Sequence, residues 1–350
     1  MIHSSATTQD DKKNSHTSAS NTVITEFTTQ DFSITTNLRP KKIDDYIGQS
    51  KLIKQLHLIL RSAKLRETIP EHILLYGPPG LGKTTLANII AEELSIDIRI
   101  VSAPALQKVG DLMNILINLD KPTIVFVDEI HRLRSQVEET LYSAMEDRKV
   151  DLVMGKGTGV NTIRIDLSPF ILVGATTKFG NISKPLRDRF PNIFKLEPYI
   201  EEEMRQLIHR NIKLLDISLT QDAISELCKR SRGVPRVANN ILKRFLDLKT
   251  VHHTDHSTID AKQAKSFLSE MGIFEDGFTA MDLNYLQALK NGSVSLKTLS
   301  GILQEETQTL EEVIEPYLIQ KGLIDKDSSG RKLTQRGMTY IGIVPTGILL

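Results

Sequence analysis

Short uninterrupted apolar runs and longer runs with helical spacing divide the chain into successive stretches. Residues 1–37 are rich in Ser and Thr and almost without apolar periodicity; such a composition cannot repay the entropy of ordering, so a disordered tail is expected. Over residues 38–200 the runs HILLYG, IRIV, TIVFVDE and FILVGATT alternate with helical patterns, which predicts an α/β core of βαβ units around a parallel sheet buried on both faces. From Glu201 to Met271 the patterns EEEMRQLIHRNIKLL, TQDAISELCKRS and VPRVANNILKRFLDL are helical throughout and predict a small all-α domain. Residues 272–350 carry short helical patterns followed by GLIDKDSSGRKLT, a strand, turn and strand. Helices followed by a β-wing predict a winged-helix module.

Composition narrows the function classes. With 350 residues, 40% hydrophobic and 25% charged, the chain can bury real cores, which excludes wholesale disorder and a fibrous repeat. Lys plus Arg number 44 against 43 Asp plus Glu, a net charge of +1, which argues against a generally basic nucleic-acid coat and leaves a local basic face open. The lone Cys228 excludes a disulfide scaffold or Cys-rich zinc module. No run approaches the roughly 18 apolar residues of a membrane span, and no signal-peptide core opens the chain. A cytoplasmic protein without membrane contact is expected.

The clearest chemistry is a phosphate site. Gly77-Pro78-Pro79-Gly80-Leu81-Gly82-Lys83-Thr84 satisfies G-x-x-x-x-G-K-[ST] and lies between the apolar run HILLY and the helical TTLANIIAEEL, the context a P-loop requires. Gly77, Gly80 and Gly82 let backbone N–H groups turn inward, Lys83 reaches the β- and γ-phosphates of ATP, and Thr84 offers a hydroxyl to Mg²⁺, with Thr85 beside it at the helix start. The run TIVFVDEIH brings Asp128 and Glu129 to the C-terminal edge of the sheet, where ligands of open α/β folds bind. Asp128 is then a ligand of hydrated Mg²⁺ and Glu129 the group that orients or deprotonates the attacking water. FILVGATT ends in Thr177, a polar group where that water can be placed. Arg187, Arg189 and Arg236 are candidates to neutralise charge on the γ-oxygens. Glu129 leaves His131 without an acid–base task, Cys228 sits on an apolar helix face, and His252, His253, Asp255 and His256 fall in a polar stretch that reads as a loop.

RPKKIDDYIGQ, LLYGPPGLGKTTLA, DEIHRL, LYSAMED, the GKG turn with TIRIDL, GATT, PLRDRF, RSRGVPRVAN and EPYLIQKGLI follow in order the pattern of the RuvB family, and the chain resembles it from Leu38 to the final GIVPTG. The resemblance implies an AAA+ core over 38–200, a helical lid over 201–271 and a DNA-binding winged helix over 272–350. It implies an ATP-hydrolysing homohexameric ring that pulls duplex DNA at four-way junctions during branch migration. Leu38 and Arg39 would touch the base region, with Tyr199 a further nucleotide contact. Thr177 would be the first sensor and Arg236 the second. Glu146, Asp147 and Arg148 would lie near the neighbouring subunit's nucleotide, and Arg189 would be an arginine finger given in trans. The segment 151–167 resembles the hairpin that docks on a RuvA-like junction-binding partner, and Lys326 and Arg331 match wing positions that contact DNA phosphates.

The chain departs from the family at Lys178, where Arg is usual, and at Pro191, where Gly is usual. From Met271 onward it carries seven basic residues against ten acidic ones, a balance of −3, which suits a polyanion only if the charges segregate. Two alternatives stand beside the motor: a clamp-loader-like AAA+ ATPase, which would share the ATP chemistry, and, suggested by the acidic wing, a nucleotide-binding scaffold without productive DNA translocation.

Overall fold

Alternation along each apolar run dictates how the central sheet is covered. A computed structural model describes residues 38–154, 161–252 and 258–342, and the expected tail over 1–37 lies outside them. β1 (Ile73–Tyr76), β2 (Asp97–Ser102), β3 (Thr123–Asp128), β6 (Phe170–Thr176) and β7 (Asn192–Lys195) form a sheet in the order β2-β3-β6-β1-β7, every pair parallel. Ile73 and Leu75 of β1, Ile124 and Phe126 of β3, and Ile171 and Val173 of β6 enter one apolar cluster with helices Ser50–Leu65 and Lys83–Leu94. Leu74, Val125, Val127 and Leu172 point the other way, into a cluster with helices Val109–Ile117 and Ser135–Asp147. Period-two side chains on strands covered on both faces produce the continuous apolar runs of the sequence.

This strand order also decides where chemistry can gather. β3, β6 and β1 are adjacent at the centre of the sheet, so residues at their C-terminal ends meet at one edge: Gly77 after β1, Asp128 at the end of β3, and Thr177 after β6.

The rest of the chain builds two further cores. Helices Glu201–Leu214, Gln221–Arg230, Pro235–His252 and Ala261–Glu270 pack around Met204, Ile208, Leu227, Leu242 and Phe245, with Cys228 buried among them. Helices Ala280–Ala288 and Leu296–Leu303, a helix over 307–320, and the antiparallel hairpin β8 (Ile324–Asp327) and β9 (Gly330–Leu333) enclose Phe278, Tyr285, Leu299, Leu318 and Leu333. The hairpin is held to its domain by Val294 and Arg331, which exchange backbone hydrogen bonds of 2.9 Å in both directions. Between helix Ser135–Asp147 and β6, β4 (Lys149–Met154) and β5 (Asn161–Asp166) form a separate antiparallel hairpin, held near its base by Arg164, whose Nε and Nη2 donate to Asp151 at 2.8 and 3.1 Å. Its tip, 155–160, and the stretch 253–257 with His253, Asp255 and His256 lie outside the described residues. Among the described residues no helix is long and apolar enough to cross a membrane.

Candidate nucleotide site

The P-loop turns tightly because its glycines adopt backbone angles that side chains resist. Gly77, Gly80 and Gly82 have φ of +142°, +80° and +99°, in the region favoured by glycine. A Cβ on Gly77 would lie 2.3 Å from the Leu196 carbonyl oxygen, and one on Gly80 would lie 2.7 Å from Val234 and 3.1 Å from Arg236. The cradle therefore exists only without those side chains. Gly82 precedes helix Lys83–Leu94 and offers no side-chain cap, so the first N–H groups of that helix remain for an anion. Thr84 and Thr85 stand in this first turn. Lys83 is buried, and its Nζ donates to the carbonyls of Gly77 at 2.7 Å and Pro78 at 3.0 Å. Burial pushes its pKa down, while Glu129 and Asp128 act in the opposite sense. Phosphate oxygens make stronger partners for an ammonium than these neutral carbonyls. The cradle, the lysine and the hydroxyl and carboxylate oxygens of Thr84 and Asp128 form a donor set that suits a nucleoside triphosphate and a hard divalent cation.

Beyond β3 the chain turns at Glu129, whose φ of 50° is left-handed, and continues as a short 3₁₀ turn, Ile130–Arg132. This turn swings His131 onto the end of β6. Glu129 accepts from the Thr177 hydroxyl at 3.1 Å and stands 3.1 Å from His131 Nδ1. The same Nδ1 lies 2.8 Å from the Thr176 hydroxyl, which accepts from the Lys178 backbone N–H at 2.9 Å. Burial holds His131 below the ordinary imidazole pKa against the pull of Glu129. A neutral ring carries one N–H, so Nδ1 serves Glu129 as donor or Thr176 as acceptor according to tautomer. Sequence reasoning assigned His131 nothing; its only signal was its place two residues after Glu129.

The lid reaches the cradle through Arg236, whose backbone N–H donates to the Gly80 carbonyl at 3.3 Å. Tyr199 instead contacts the chain just before helix Ser50–Leu65. Its hydroxyl donates to the Ile47 carbonyl at 2.7 Å, and its ring covers Gly48, next to Tyr46, which donates to the Leu81 carbonyl at 3.3 Å. Leu38 and Arg39 belong to a separate N-terminal unit, the first buried and the second exposed.

Arg189, Glu146, Asp147 and Arg148 are gathered elsewhere. Arg189 Nη2 lies 3.1 Å from Glu146, Nη1 donates to the Pro185 carbonyl at 2.8 Å, and the guanidinium rests 4.3 Å over the Tyr142 ring. Its buried Nε has no hydrogen-bond partner among the described residues. The group marks the strand-start edge: Met145 contacts His72, the residue before β1, at 3.3 Å, and Arg189 shortly precedes β7, whose Asn192 pairs with Ile73. Pro191 comes just before that ladder, so its missing N–H costs no strand pairing there. Arg187 lies on the same short helix, 5.3 Å over Phe179.

The wing cations are engaged within the chain. Arg331 Nε donates to Glu315 at 2.8 Å and Nη2 to Glu311 at 2.6 Å, leaving its side chain 13% exposed. Lys326, opposite Arg331 in the hairpin register, lies 2.6 Å from Glu315 and is 39% exposed. Glu315 is fully buried and also accepts from Tyr285 at 2.8 Å. Burial drives its pKa up, but the hydrogen bonds from Arg331, Lys326 and Tyr285 outweigh burial and hold it below the usual carboxylate range.

Models described as the Holliday junction DNA helicase RuvB P-loop domain, the RuvB AAA lid domain and the RuvB C-terminal winged helix domain match residues 38–196, 199–273 and 275–342. The Holliday junction branch migration complex subunit RuvB of Campylobacter hominis is 45% identical over 325 residues, which are 91% of this chain and 95% of that protein. Its counterpart in Fusobacterium nucleatum is 44% identical over 314 residues, 89% and 94% of the two chains. Among solved structures, the Thermotoga maritima RuvB Holliday junction branch migration motor is 40% identical with a TM-score of 0.78, over 88% of this chain and 100% of that one.

Proposed function

The chain belongs to the RuvB family, an ATP-driven AAA+ motor of Holliday-junction branch migration, and we propose that it acts in the cytoplasm as a homohexameric ring around duplex DNA. Three domains would divide the labour: ATPase core (38–200), lid (201–271) and winged helix (272–350). A RuvA-like junction-binding protein docks on the 151–167 hairpin. Family membership sets aside the clamp-loader alternative.

The observation that carries the ring is the position of Arg189. Four-residue strands β1 and β7 rise roughly 3.3 Å per residue, which puts the two sheet edges on the order of 10 Å apart. The phosphates belong to one edge and Arg189 to the other, so the finger cannot serve its own P-loop. A neighbour can bring Arg189 to it, with Glu146, Asp147 and Arg148 on the same surface. Within each site, Lys83 and the first-turn N–H groups hold the phosphates, and Glu129, oriented by Thr177, takes the proton of the attacking water. Thr84 and Asp128 would hold Mg²⁺, which would supply positive charge against the phosphates. Arg236 from the lid and Tyr199 complete the nucleotide contacts.

A mixed ring tests this arrangement. Arg189→Ala and Lys83→Ala subunits, each inactive alone, regain ATPase when mixed, because some interfaces pair an intact P-loop with an intact finger worth about 10³ to 10⁵ in rate. Inactive mixtures at every ratio, with subunit exchange verified, contradict a finger in trans.

Lys326 and Arg331 are the proposed phosphate contacts of the wing, and their surroundings make them unequal. Lys326→Ala lowers the slope of log K against log salt for duplex binding by about one, and because Lys326 is 39% exposed its loss costs the buried Glu315 less than loss of Arg331 does. Arg331→Ala strands the buried Glu315 with one cation fewer, so it also destabilises the wing, by about 3 kcal/mol. If both contact phosphate, the double variant flattens the slope by about two. An unchanged slope in Lys326→Ala moves the DNA contact off the hairpin.

A further inference from the structure

Lys178, the departure that follows the first sensor, is the point where the ATP site touches the winged-helix domain. Its backbone N–H donates to the Thr176 hydroxyl at 2.9 Å, and that hydroxyl stands 2.8 Å from His131 Nδ1, which itself lies 3.1 Å from Glu129. At its other end, Lys178 Nζ donates to Glu312 at 2.5 Å, across 134 residues of sequence. Glu312 belongs to a π-helical turn, Leu310–Ile314. On either side of it Glu311 and Glu315 grip Arg331 of β9, at 2.6 and 2.8 Å.

Three properties of this path set it apart from an ordinary surface pair. It runs by close polar contacts and covalent links from the carboxylate that activates water to the helix whose Glu311 and Glu315 hold the wing hairpin. Its central pair is half-exposed, 33% for Lys178 and 40% for Glu312, and pairs of that kind add little to stability. Such a pair can therefore open and close at small cost. Glu312 also stands in a π turn, a local change of helix register that recurs at functional sites. The Lys178 ammonium is the foremost cause holding the Glu312 carboxyl below its usual range, and the Glu312 charge is felt at His131 as well. His131 and Glu312 thus lie within electrostatic reach of one another.

We propose that Lys178 and Glu312 are positioning residues that join the water-activating end of the ATP site to the wing, so that the setting of Glu129 and the placement of the β8–β9 hairpin are coupled. The inference rests on the reading of Glu129 as the water-activating group. Nucleotide that draws Glu129 and Thr177 toward the γ-phosphate shifts the Thr176–Lys178 segment, and the ion pair passes that shift to Glu312 and the helix over 307–320. Force on the wing returns by the same route, as the reciprocity of coupled equilibria requires.

Amide hydrogen exchange over residues 307–320, with and without ATPγS and Mg²⁺ and without DNA, tests the coupling directly. The full-length chain is compared with Lys178→Glu, Glu312→Lys, the double swap and Lys178→Arg. Nucleotide changes the protection of 307–320 in the parent chain; both single reversals lose that change, and the swap and Lys178→Arg keep it. In ATPase assays on duplex DNA, the single reversals lower kcat by at least about fivefold with KM for ATP unchanged. A parent segment indifferent to nucleotide, single reversals that retain the response, or loss that neither the swap nor Lys178→Arg recovers would overturn the coupling. Exchange needs neither hydrolysis nor DNA, so this result stands apart from any failure of Glu129 as base or of the wing as a DNA contact.

Discussion

Lys83→Ala is expected to bind ATP about a hundredfold more weakly and to lose hydrolysis. Charge-assisted hydrogen bonds each contribute about 1.5–3 kcal/mol, and this buried ammonium is the cation set among the P-loop carbonyls of Gly77 and Pro78. The glycine cradle and the helix N-terminus survive the change, so the variant folds and retains weak phosphate affinity from its backbone N–H groups. Loss extends to the transition state, since preorganised charge that stabilises developing γ-phosphate charge is removed with the side chain. Titration with a fluorescent ATP analogue reads the first effect and phosphate release the second. Parent-like affinity in Lys83→Ala contradicts the assignment of the P-loop.

Glu129→Gln separates binding from chemistry. The amide matches the carboxylate in shape and can still accept from the Thr177 hydroxyl, which lies 3.1 Å from Glu129; the proposed phosphate and Mg²⁺ contacts belong to other groups. What disappears is the base. Turnover should fall by about 10²–10⁴ while ATP affinity stays within a few-fold of the parent, so the variant accumulates in its ATP-bound state. Single-turnover hydrolysis beside equilibrium binding measures the split. Undiminished turnover would remove Glu129 from the water-activating role.

Most of the candidate nucleotide site was legible because its parts are local. The P-loop glycines, Lys83 and Thr84 fall within eight residues, and the apolar runs that precede Gly77, Asp128 and Thr177 mark strand ends that a parallel sheet brings to one edge. The two later blocks each bury their periodic faces in one apolar cluster, while the α/β block has a cluster on each side of its sheet. Long-range side-chain pairing is different, because periodicity reports which face a residue occupies and not what lies opposite. Glu146 beside Arg189, Glu312 beside Lys178 and Glu315 beneath Arg331 are meetings of polar residues with no periodic signal. His131 was missed for a backbone reason: the left-handed turn at Glu129 aims it at Thr176, and no residue type in DEIH announces that turn. The acidic balance of the C-terminal domain has a structural account as well. Glu311 and Glu315 are used to hold the wing cations, and Glu312 to reach the ATPase core.

The central claim is that ATP hydrolysis in this chain drives movement of junction DNA. ATP turnover by the purified full-length protein, measured with and without a four-way DNA junction together with separation of the junction's arms, tests it most directly. The account predicts strong stimulation of turnover by the junction and ATP-dependent conversion of the junction to duplex products, both absent in Glu129→Gln. ATPase that is indifferent to DNA, with junctions left intact, would contradict it and leave a nucleotide-binding scaffold in its place.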